Sequence, residues 1–230
     1  MIIKTLKIKK FYFLFPVLFI TLVACGQNPV DITETQVFKE MNTKKPAVKT
    51  EQGLDTATFA AGCFWCVQAQ FNQLEGVKNI VSGFAGGHTA NPTYRQVSTG
   101  TTGYAETCNI IYNPSKITYR ELLAAFFIAH DPTQLNRQGN DIGTQYRSVI
   151  FYHNPGQKKL AQYYIRRLDE VHAYPKKIVT KVTPFTKFYP AKESHQNFYI
   201  KNPDQPYCQL VIQPEMKRFK KVFHEKIKKH

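Results

Sequence analysis

A cysteine between a glycine and two aromatic residues is the strongest chemical signal in this sequence. Gly62 precedes Cys63 directly, and Phe64 and Trp65, the only tryptophan of the chain, follow it. Residues 58–61 have the composition of a short strand, and the apolar positions after Cys63 have helical spacing. Cys63 is therefore predicted at a helix N-terminus, where unpaired backbone N–H groups and the helix dipole favour the thiolate form. We interpret Cys63 as a nucleophile, with an inert buried cysteine as the alternative.

The first 24 residues have the layout of a secretory signal peptide. Lysines precede an apolar run from Phe11 to Ala24, which is shorter than a membrane-spanning helix requires. The run ends at Ala24-Cys25-Gly26, which resembles the lipobox of bacterial lipoproteins, where the cysteine is lipidated and becomes the new N-terminus. We expect an envelope lipoprotein anchored to a membrane through Cys25, on the periplasmic or other extracytoplasmic face. A signal peptide cleaved after Ala24 without lipidation is the alternative.

The remaining sequence divides into a tether and one domain. Residues 25–56 are polar with little periodicity, so we expect a flexible tether there. Residues 57–230 are enough for a single domain of ordinary size, in a chain of 230 residues of which 43% are hydrophobic and 13% aromatic.

The chain is strongly basic, with a formal net charge of +15. Most basic residues are spread along the sequence, but a group near the C-terminus accompanies apolar residues at helical spacing, which predicts an amphipathic helix. An exported protein meets anionic lipid head groups before it meets DNA, so we predict no nucleic-acid binding. A solvated charged face is the simpler explanation of the group, which consists of Lys217, Arg218, Lys220, Lys221, Lys226, Lys228 and Lys229.

The elements predicted between residues 58 and 153 follow the order β-α-β-β-α-β. The second helix has the clearest signal, because Thr118 and Glu121 have capping-box spacing and a buried apolar stripe follows them. The order predicts an α+β fold with two layers and a ferredoxin-like core. C-terminal extensions are expected to add a helix, a strand and a long ordered loop with one short helix around His195. The predicted strands are 58–61, 77–85, 105–112 and 147–152, the predicted helices are 62–74, 118–131 and 156–171, and the added strand and loop are 178–183 and 184–206.

Several motifs between residues 57 and 214 follow one another in the order and at the intervals of a known family. They resemble those of the peptide methionine sulfoxide reductases of type A, which implies reduction of methionine S-sulfoxide, free or within damaged proteins. The motifs are Gly62-Cys63-Phe64-Trp65, Gly86-Gly87, Asn91-Pro92-Thr93-Tyr94, Gly103-Tyr104-Ala105-Glu106, His130-Asp131-Pro132-Thr133 and Gly139-Asn140-Asp141-Ile142-Gly143-Thr144-Gln145-Tyr146-Arg147-Ser148.

The resemblance implies a role for each polar residue of a sulfoxide-reducing site. Cys63 attacks the sulfur, which becomes electrophilic only when its oxygen is protonated or strongly hydrogen-bonded. Glu106 is implied as the acid, and Tyr94 and Tyr146 as phenolic donors to the sulfoxide oxygen. Asp141 is implied to hold a water molecule or the substrate backbone. Burial of the Glu106 carboxyl group would raise its pKa and keep it protonated.

Two residues beside the nucleophile are implied to bind the substrate, and two others depart from the family pattern. Phe64 and Trp65 are expected to form an apolar cradle for the S-methyl group, with ordinary core packing as the alternative. Cys66 replaces a glycine that many members have. Gln68 replaces a common glutamate, which leaves the role of that carboxylate open.

Attack leaves Cys63 as a sulfenic acid, which condenses with a second thiol to a disulfide. The two candidates for this resolving thiol are Cys208 and Cys66. We favour Cys208, because it resembles the family's recycling cysteine and is expected on a mobile tail that can swing inward. Cys108 is expected to be buried. The resemblance implies a thioredoxin-like reductant and no metal or organic cofactor, and we expect a monomer.

Other functions remain as alternatives. Cys63 and Cys66 form a Cys-x-x-Cys pair, which in an exported protein is typical of thiol-disulfide oxidoreductases, although no thioredoxin-like βαβ pattern follows. A zinc-stabilised binding module would use these two residues with Cys108 and Cys208. Their spacings lack a second Cys-x-x-Cys or a histidine pair, which makes a structural zinc site the weaker interpretation.

Overall fold

A computed structural model of the chain describes residues 31–43 and 53–229. In these ranges no helix has the length and apolar character needed to cross a membrane. The helices are α1 Gln36–Asn42, α2 Phe64–Phe71, α3 Tyr94–Ser98, α4 Tyr119–Ala129, α5 Pro155–Glu170, α6 Phe198–Lys201 and α7 Gln213–Val222. The strands are β1 Asp55–Ala61, β2 Val77–Ala85, β3 Ala105–Tyr112, β4 Arg137–Gln138, β5 Asp141–Ile142, β6 Ser148–Tyr152, β7 Lys181–Pro184 and β8 Phe188–Pro190.

The larger sheet has six strands in the order β7-β6-β1-β3-β2-β8. Its central four strands, β6-β1-β3-β2, are antiparallel, and β7 joins β6 in parallel. The helices α2 and α4 cover one face, since the ring of Phe59 lies 6.0 Å from Phe71 of α2 and 5.1 Å from Phe126 of α4. The α+β fold with a ferredoxin-like core is therefore confirmed.

The predicted capping box of α4 is confirmed and also fastens the C-terminal segment. The Thr118 side chain accepts a hydrogen bond from the Glu121 backbone at 3.2 Å, and the Glu121 carboxylate accepts from the Thr118 backbone at 2.7 Å. The same carboxylate forms a buried ion pair with Lys226. Removing one partner of a buried ion pair is costly, so this contact holds the end of the chain against the start of α4.

The C-terminal extension is more regular than the sequence indicates. Within the predicted loop at 184–206, Phe188–Pro190 forms β8 on the edge of the sheet beside β2. A 3₁₀ turn at Glu193–His195 matches the short helix expected around His195, and α6 follows it. These elements are only three or four residues long, too short for a periodic pattern to reveal them.

Part of the predicted tether is folded, which corrects that prediction. Residues 32–34 form a 3₁₀ turn, and Thr35 caps α1 by accepting a hydrogen bond from the Phe38 backbone at 3.1 Å. Val37, Phe38 and Met41 are buried, and the Phe38 ring packs 6.1 Å from that of Phe223. The three apolar positions span little more than one turn inside a polar stretch, so composition alone hides them.

The other N-terminal predictions are not tested by the structure. The signal peptide at 1–24 and the lipidated Cys25 lie outside the described residues, as does the stretch 44–52. At the other end of the predicted tether, β1 begins at Asp55 and pairs with Tyr112 of β3, so the folded domain starts slightly before residue 57.

We predict that α1 contributes measurably to the stability of the domain. Phe38→Ala removes a side chain that is only 3% exposed and is expected to lower the free energy of unfolding by about 3 to 5 kcal/mol. Urea unfolding followed by Trp65 fluorescence measures this change. The matched control is Gln36→Ala, an exposed position of the same helix, for which we expect a change within about 0.5 kcal/mol. Equal stability of the two variants would show that α1 does not pack on the domain in solution.

Candidate active site

A tight turn between β1 and α2 fixes the position of Cys63. Gly62 has a φ of 84°, and a Cβ at this position would lie 2.7 Å from the side chain of Gln138, so only glycine fits without strain. Cys63 follows as the N-cap residue of α2, as predicted. Because β1 pairs with both β3 and β6, the turn sits on the centre of the sheet rather than on a loose edge.

Glu106 lies on β3, the strand next to β1, and faces the start of α2. Its Oε2 accepts a hydrogen bond from the backbone N–H of Phe64 at 3.1 Å, and the side chain is only 2% exposed. Burial raises the pKa of the Glu106 carboxyl group to about 8, the hydrogen bond from Phe64 opposes this increase, and the charge of Asp141 adds to it. The carboxyl group of Glu106 therefore holds a proton at neutral pH, and its hydrogen-bond partner Phe64 is the residue that directly follows Cys63.

Tyr94 and Tyr146 also lie near Glu106 and Cys63, and they belong to two other elements of the fold. Tyr94 opens α3, after the capping box that Thr93 forms with Gln96. Tyr146 ends the 3₁₀ turn before β6. Burial raises the pKa of Tyr94 to about 12 and also raises the pKa of Tyr146, with the charges of Glu106 and Cys63 contributing to both shifts. Both hydroxyl groups therefore stay protonated and available as hydrogen-bond donors.

Asp141 belongs to the short strand β5, and its partner was missed by sequence analysis. The Oη of Tyr207 donates to Oδ2 of Asp141 at 2.6 Å, and the same Oη lies 3.8 Å from the Sγ of Cys66. Burial raises the pKa of Tyr207, so it remains a donor. The one feature of the sequence that points to Tyr207 is its position directly before Cys208.

The aromatic residues after Cys63 are more enclosed than an open cradle. Phe64 is buried in the core, in contact with the rings of Phe84 and Tyr94. The Trp65 ring stacks on Phe198 of α6 at 3.8 Å. His195 also stacks over Trp65, at 5.8 Å, and over Tyr94, at 4.3 Å. The segment 195–198 therefore forms a second aromatic layer over the site, which sequence analysis did not identify as functional.

Three of the cysteines gather in one buried cluster. Cys63, Cys66 and Cys208 pack together with Met216 of α7, and each of these cysteines is a free thiol. A hydrogen bond to Cys63 and burial raise the pKa of the Cys66 thiol. Both candidate resolving residues are thus close to the nucleophile.

The expected mobile tail around Cys208 is not what the structure shows. Cys208 is 0% exposed and begins a π-helical turn, Cys208–Ile212, that continues directly into α7. The amphipathic character of α7 explains this position, because its apolar residues Met216 and Phe219 are buried against the domain. A local reading of the sequence around Cys208 cannot detect this docking.

Cys108 and Gln68 have structural surroundings. Cys108 is buried, its Sγ donates to the carbonyl oxygen of Phe64 at 3.4 Å, and burial raises its pKa, so it remains a thiol. Gln68 donates to the Ile80 carbonyl at 3.0 Å and accepts from the Asn197 backbone at 2.7 Å. It thereby ties the segment 195–198 to β2 without any negative charge.

The cluster of cysteines opens onto a cavity of about 210 Å³. Its walls include Cys63, Cys66, Asp141, Tyr207 and Glu215. Within residues 31–43 and 53–229, no group of three His, Cys, Asp or Glu side chains is placed to hold a metal ion.

Comparison with known proteins places these residues in a family. A family model described as peptide methionine sulfoxide reductase matches residues 55–227. The peptide methionine sulfoxide reductase MsrA of Natronomonas pharaonis is 49% identical over 172 residues, which cover 75% of this chain and 97% of that protein. The MsrA of Saccharolobus solfataricus is 49% identical over 177 residues, 77% of this chain and 99% of that protein.

Solved structures agree with the sequence relatives. Reduced Mxr1 from Saccharomyces cerevisiae matches with a TM-score of 0.63 and 32% identity, over 70% of this chain and 94% of that one. Methionine sulfoxide reductase A of Corynebacterium diphtheriae matches with a TM-score of 0.60 and 35% identity, over 70% of this chain and 83% of that one. The family match spans every residue of the site, from Gly62 to Glu215. The chain therefore belongs to the peptide methionine sulfoxide reductase family.

Proposed function

We propose that this chain is an enzyme that reduces methionine S-sulfoxide, free or within oxidised proteins, to methionine. The observation on which the proposal rests is the buried Glu106, whose carboxyl group is protonated at neutral pH and hydrogen-bonded to the first amide of α2. A proton donor is thereby fixed beside the thiol at the N-cap of that helix. Relatives named as peptide methionine sulfoxide reductases, nearly half identical over most of their length, support this activity.

The first step follows from the geometry. The thiolate of Cys63 attacks the sulfoxide sulfur while Glu106 gives its proton to the sulfoxide oxygen. The hydroxyl groups of Tyr94 and Tyr146 donate hydrogen bonds to the same oxygen as the S–O bond breaks. The oxygen, now a hydroxyl group, moves from the substrate sulfur to the Sγ of Cys63 while the transient bond between the two sulfur atoms breaks. Methionine leaves, and Cys63 is a sulfenic acid. Asp141 holds a water molecule or the substrate backbone, and Trp65 with Phe64 forms the apolar wall for the S-methyl group.

Regeneration requires a second thiol and then an external reductant. The sulfenic acid on Cys63 condenses with Cys66 or Cys208, both of which lie in the same buried cluster. We propose that a thioredoxin-like protein reopens the disulfide and that the enzyme acts as a monomer. The chemistry needs no metal or organic cofactor, because thiols supply both electrons.

The state of the Glu106 carboxyl group predicts how the first step depends on pH. Its pKa is raised to about 8, so the proton donor is present below that pH and is lost as the pH rises through it. We expect the single-turnover rate of methionine formation to fall above pH about 8. In Glu106→Gln the rate is expected to drop by about 100-fold to 10,000-fold and to lose this decline.

Quenched-flow measurement with free methionine sulfoxide tests this dependence. Glu170→Gln, on the exposed surface of α5 where the residue pairs with Arg167, is the matched control and should behave like the wild type. Cys63→Ser defines the zero level. Formation of methionine by Glu106→Gln at the wild-type rate at pH 7 would refute the assignment of the acid.

A Cys-x-x-Cys thiol-disulfide oxidoreductase is the second candidate, favoured by the direct contact between Cys63 and Cys66. Its chemistry requires both thiols, whereas sulfoxide reduction requires only Cys63 when a small dithiol replaces the natural reductant. We predict that Cys66→Ser retains most of its methionine sulfoxide turnover with dithiothreitol, measured as methionine released. A fall to the level of Cys63→Ser would favour the oxidoreductase.

We further propose that a lipid on Cys25 anchors the enzyme to a membrane of the cell envelope, on the periplasmic or other extracytoplasmic face. Only five residues lie between Cys25 and Asp31, the first residue that the structure describes, so Cys25 and Asp31 are at most about 20 Å apart. The hydrogen bonds from Thr33 are the largest cause of the lowered pKa of the Asp31 carboxyl group. The charge of Lys221 on α7 also lowers this pKa, so Lys221 lies close to Asp31. The exposed basic face of α7 is therefore next to the point where the chain would leave the membrane, which favours anionic lipid head groups.

Fractionation of cells tests the anchor. We expect the wild-type chain in the membrane fraction and Cys25→Ser in the soluble fraction, because the acyl chains supply most of the binding energy. Cys66→Ser is the matched control and should stay with the membrane. Retention of Cys25→Ser in the membrane fraction would contradict the proposal.

A further inference from the structure

We propose that Glu215, at the start of α7, accepts the proton of Cys66 when Cys66 attacks the sulfenic acid on Cys63. Cys66 is then the thiol that closes the first disulfide, and Glu215 is its general base. The inference rests on the proposed function, because the sulfenic acid is the product of sulfoxide reduction. It reverses the expectation, based on the sequence, that Cys208 resolves first.

The position of the two thiols on α2 favours their pairing. Cys63 is the N-cap residue and Cys66 is the third residue of the helix, with the Cys66 backbone N–H donating to the Cys63 carbonyl at 3.1 Å. A side chain at an N-cap naturally reaches the residue at the third position, as Thr118 reaches the backbone of Glu121 in α4 at 3.2 Å. The disulfide can therefore form without moving an element of the fold.

Glu215 reaches the same point from the other side of the cavity. It lines the 210 Å³ cavity together with Cys63 and Cys66. The Nε2 of Gln70 on α2 donates to Oε2 of Glu215 at 3.5 Å, which holds the carboxylate on the face of the helix that presents Cys66. Burial raises the pKa of Glu215, which makes its carboxylate a better proton acceptor, while hydrogen bonding with Cys66 opposes the shift.

The other groups near Cys66 are less suited to take its proton. Tyr207 already donates to Asp141, and burial keeps its hydroxyl group protonated. Cys208 lies in the same cluster, and its pKa is raised by burial and by the charge of Cys63. Glu215 and Cys66 line the same cavity, whereas Cys208 is not among its lining residues, so the base serves Cys66.

The step balances without any added oxidant. The Sγ of Cys66 forms a bond to the Sγ of Cys63, and the S–O bond of the sulfenic acid breaks. The Cys66 proton passes to the Glu215 carboxylate, which gives it to the departing hydroxide, so that water leaves and Glu215 is ionised again. Cys66 is oxidised and the sulfenic sulfur of Cys63 is reduced, so the product is one disulfide and one water molecule.

The test separates the two chemical steps in the full-length protein. After mixing with one equivalent of methionine sulfoxide, quenched samples are assayed for methionine, for sulfenic acid trapped with dimedone, and for the mapped disulfide by mass spectrometry. In Glu215→Gln we expect methionine to form at the wild-type rate, disulfide closure to slow by about 100-fold or more, and the trapped sulfenic acid to accumulate. The control is Glu225→Gln, whose side chain is 84% exposed and whose variant should close at the wild-type rate.

A second variant and a pH profile distinguish a base from a structural residue. Glu215→Asp keeps the carboxylate on a shorter side chain, so its closure should be slower than wild type but faster than Glu215→Gln. As the pH rises, the rate of disulfide closure in the wild type should level off once Glu215 is ionised. In Glu215→Gln this rate should keep rising with pH, because it then depends on ionisation of Cys66 itself. The other titratable or charged groups that line the cavity or belong to the thiol cluster, among them Cys63, Asp141, Tyr207, Cys208 and Arg218, are the same in all variants.

The possible outcomes are distinct. Closure of Glu215→Gln at the wild-type rate, or a first disulfide between Cys63 and Cys208, would overturn the inference while leaving the proposed function intact. Absence of methionine from the wild-type reaction would overturn the proposed function as well.

Discussion

The site depends on the hydrogen bond that joins the Phe64 backbone N–H to the buried carboxyl group of Glu106. Two effects oppose each other at this carboxyl group. The hydrogen bond favours the ionised form and burial favours the neutral form, and burial is the larger effect, because the pKa rises to about 8. The carboxyl group is therefore held close to the nucleophile without forming a fixed charge beside it. A solvated glutamate at the same place would be ionised at neutral pH and unable to donate.

Sequence analysis located the parts of the site that depend on local pattern. The position of Cys63 at a helix N-terminus, the helix that follows it and the strand at 105–112 each follow from a few consecutive residues, and the structure agrees with all three. The predicted flexibility of residues 31–43 and the mobile tail at Cys208 were wrong for one physical reason, because both segments are ordered by packing on a distant part of the domain. The apolar positions of α1 are too few to indicate a stable helix alone. The amphipathic helix predicted near the C-terminus is present as α7, but its spacing does not show where it docks.

The base proposed for the second step was also out of reach of a sequence argument. Tyr207 contacts Cys66 across 141 residues of sequence, and Glu215 contacts Gln70 across 145. Nothing in the spacing of the cysteines shows that α7 packs against α2, so a glutamate on a basic amphipathic helix looks like one more surface charge. The docking of Met216 and Phe219 is what turns Glu215 toward the thiols.

Electrostatics orders the two steps of the cycle. Two thiols in contact cannot easily both ionise, and the hydrogen bond and charge of Cys63 raise the pKa of Cys66 together with burial. Cys66 therefore keeps its proton while Cys63 acts as the nucleophile. Once oxygen transfer converts Cys63 to a neutral sulfenic acid, that negative charge disappears and the proton of Cys66 becomes easier to remove. The carboxylate of Glu215 can therefore accept the Cys66 proton only after the substrate has been reduced. The same pair of thiols performs first the attack on the sulfoxide and then the disulfide closure, without a conformational switch.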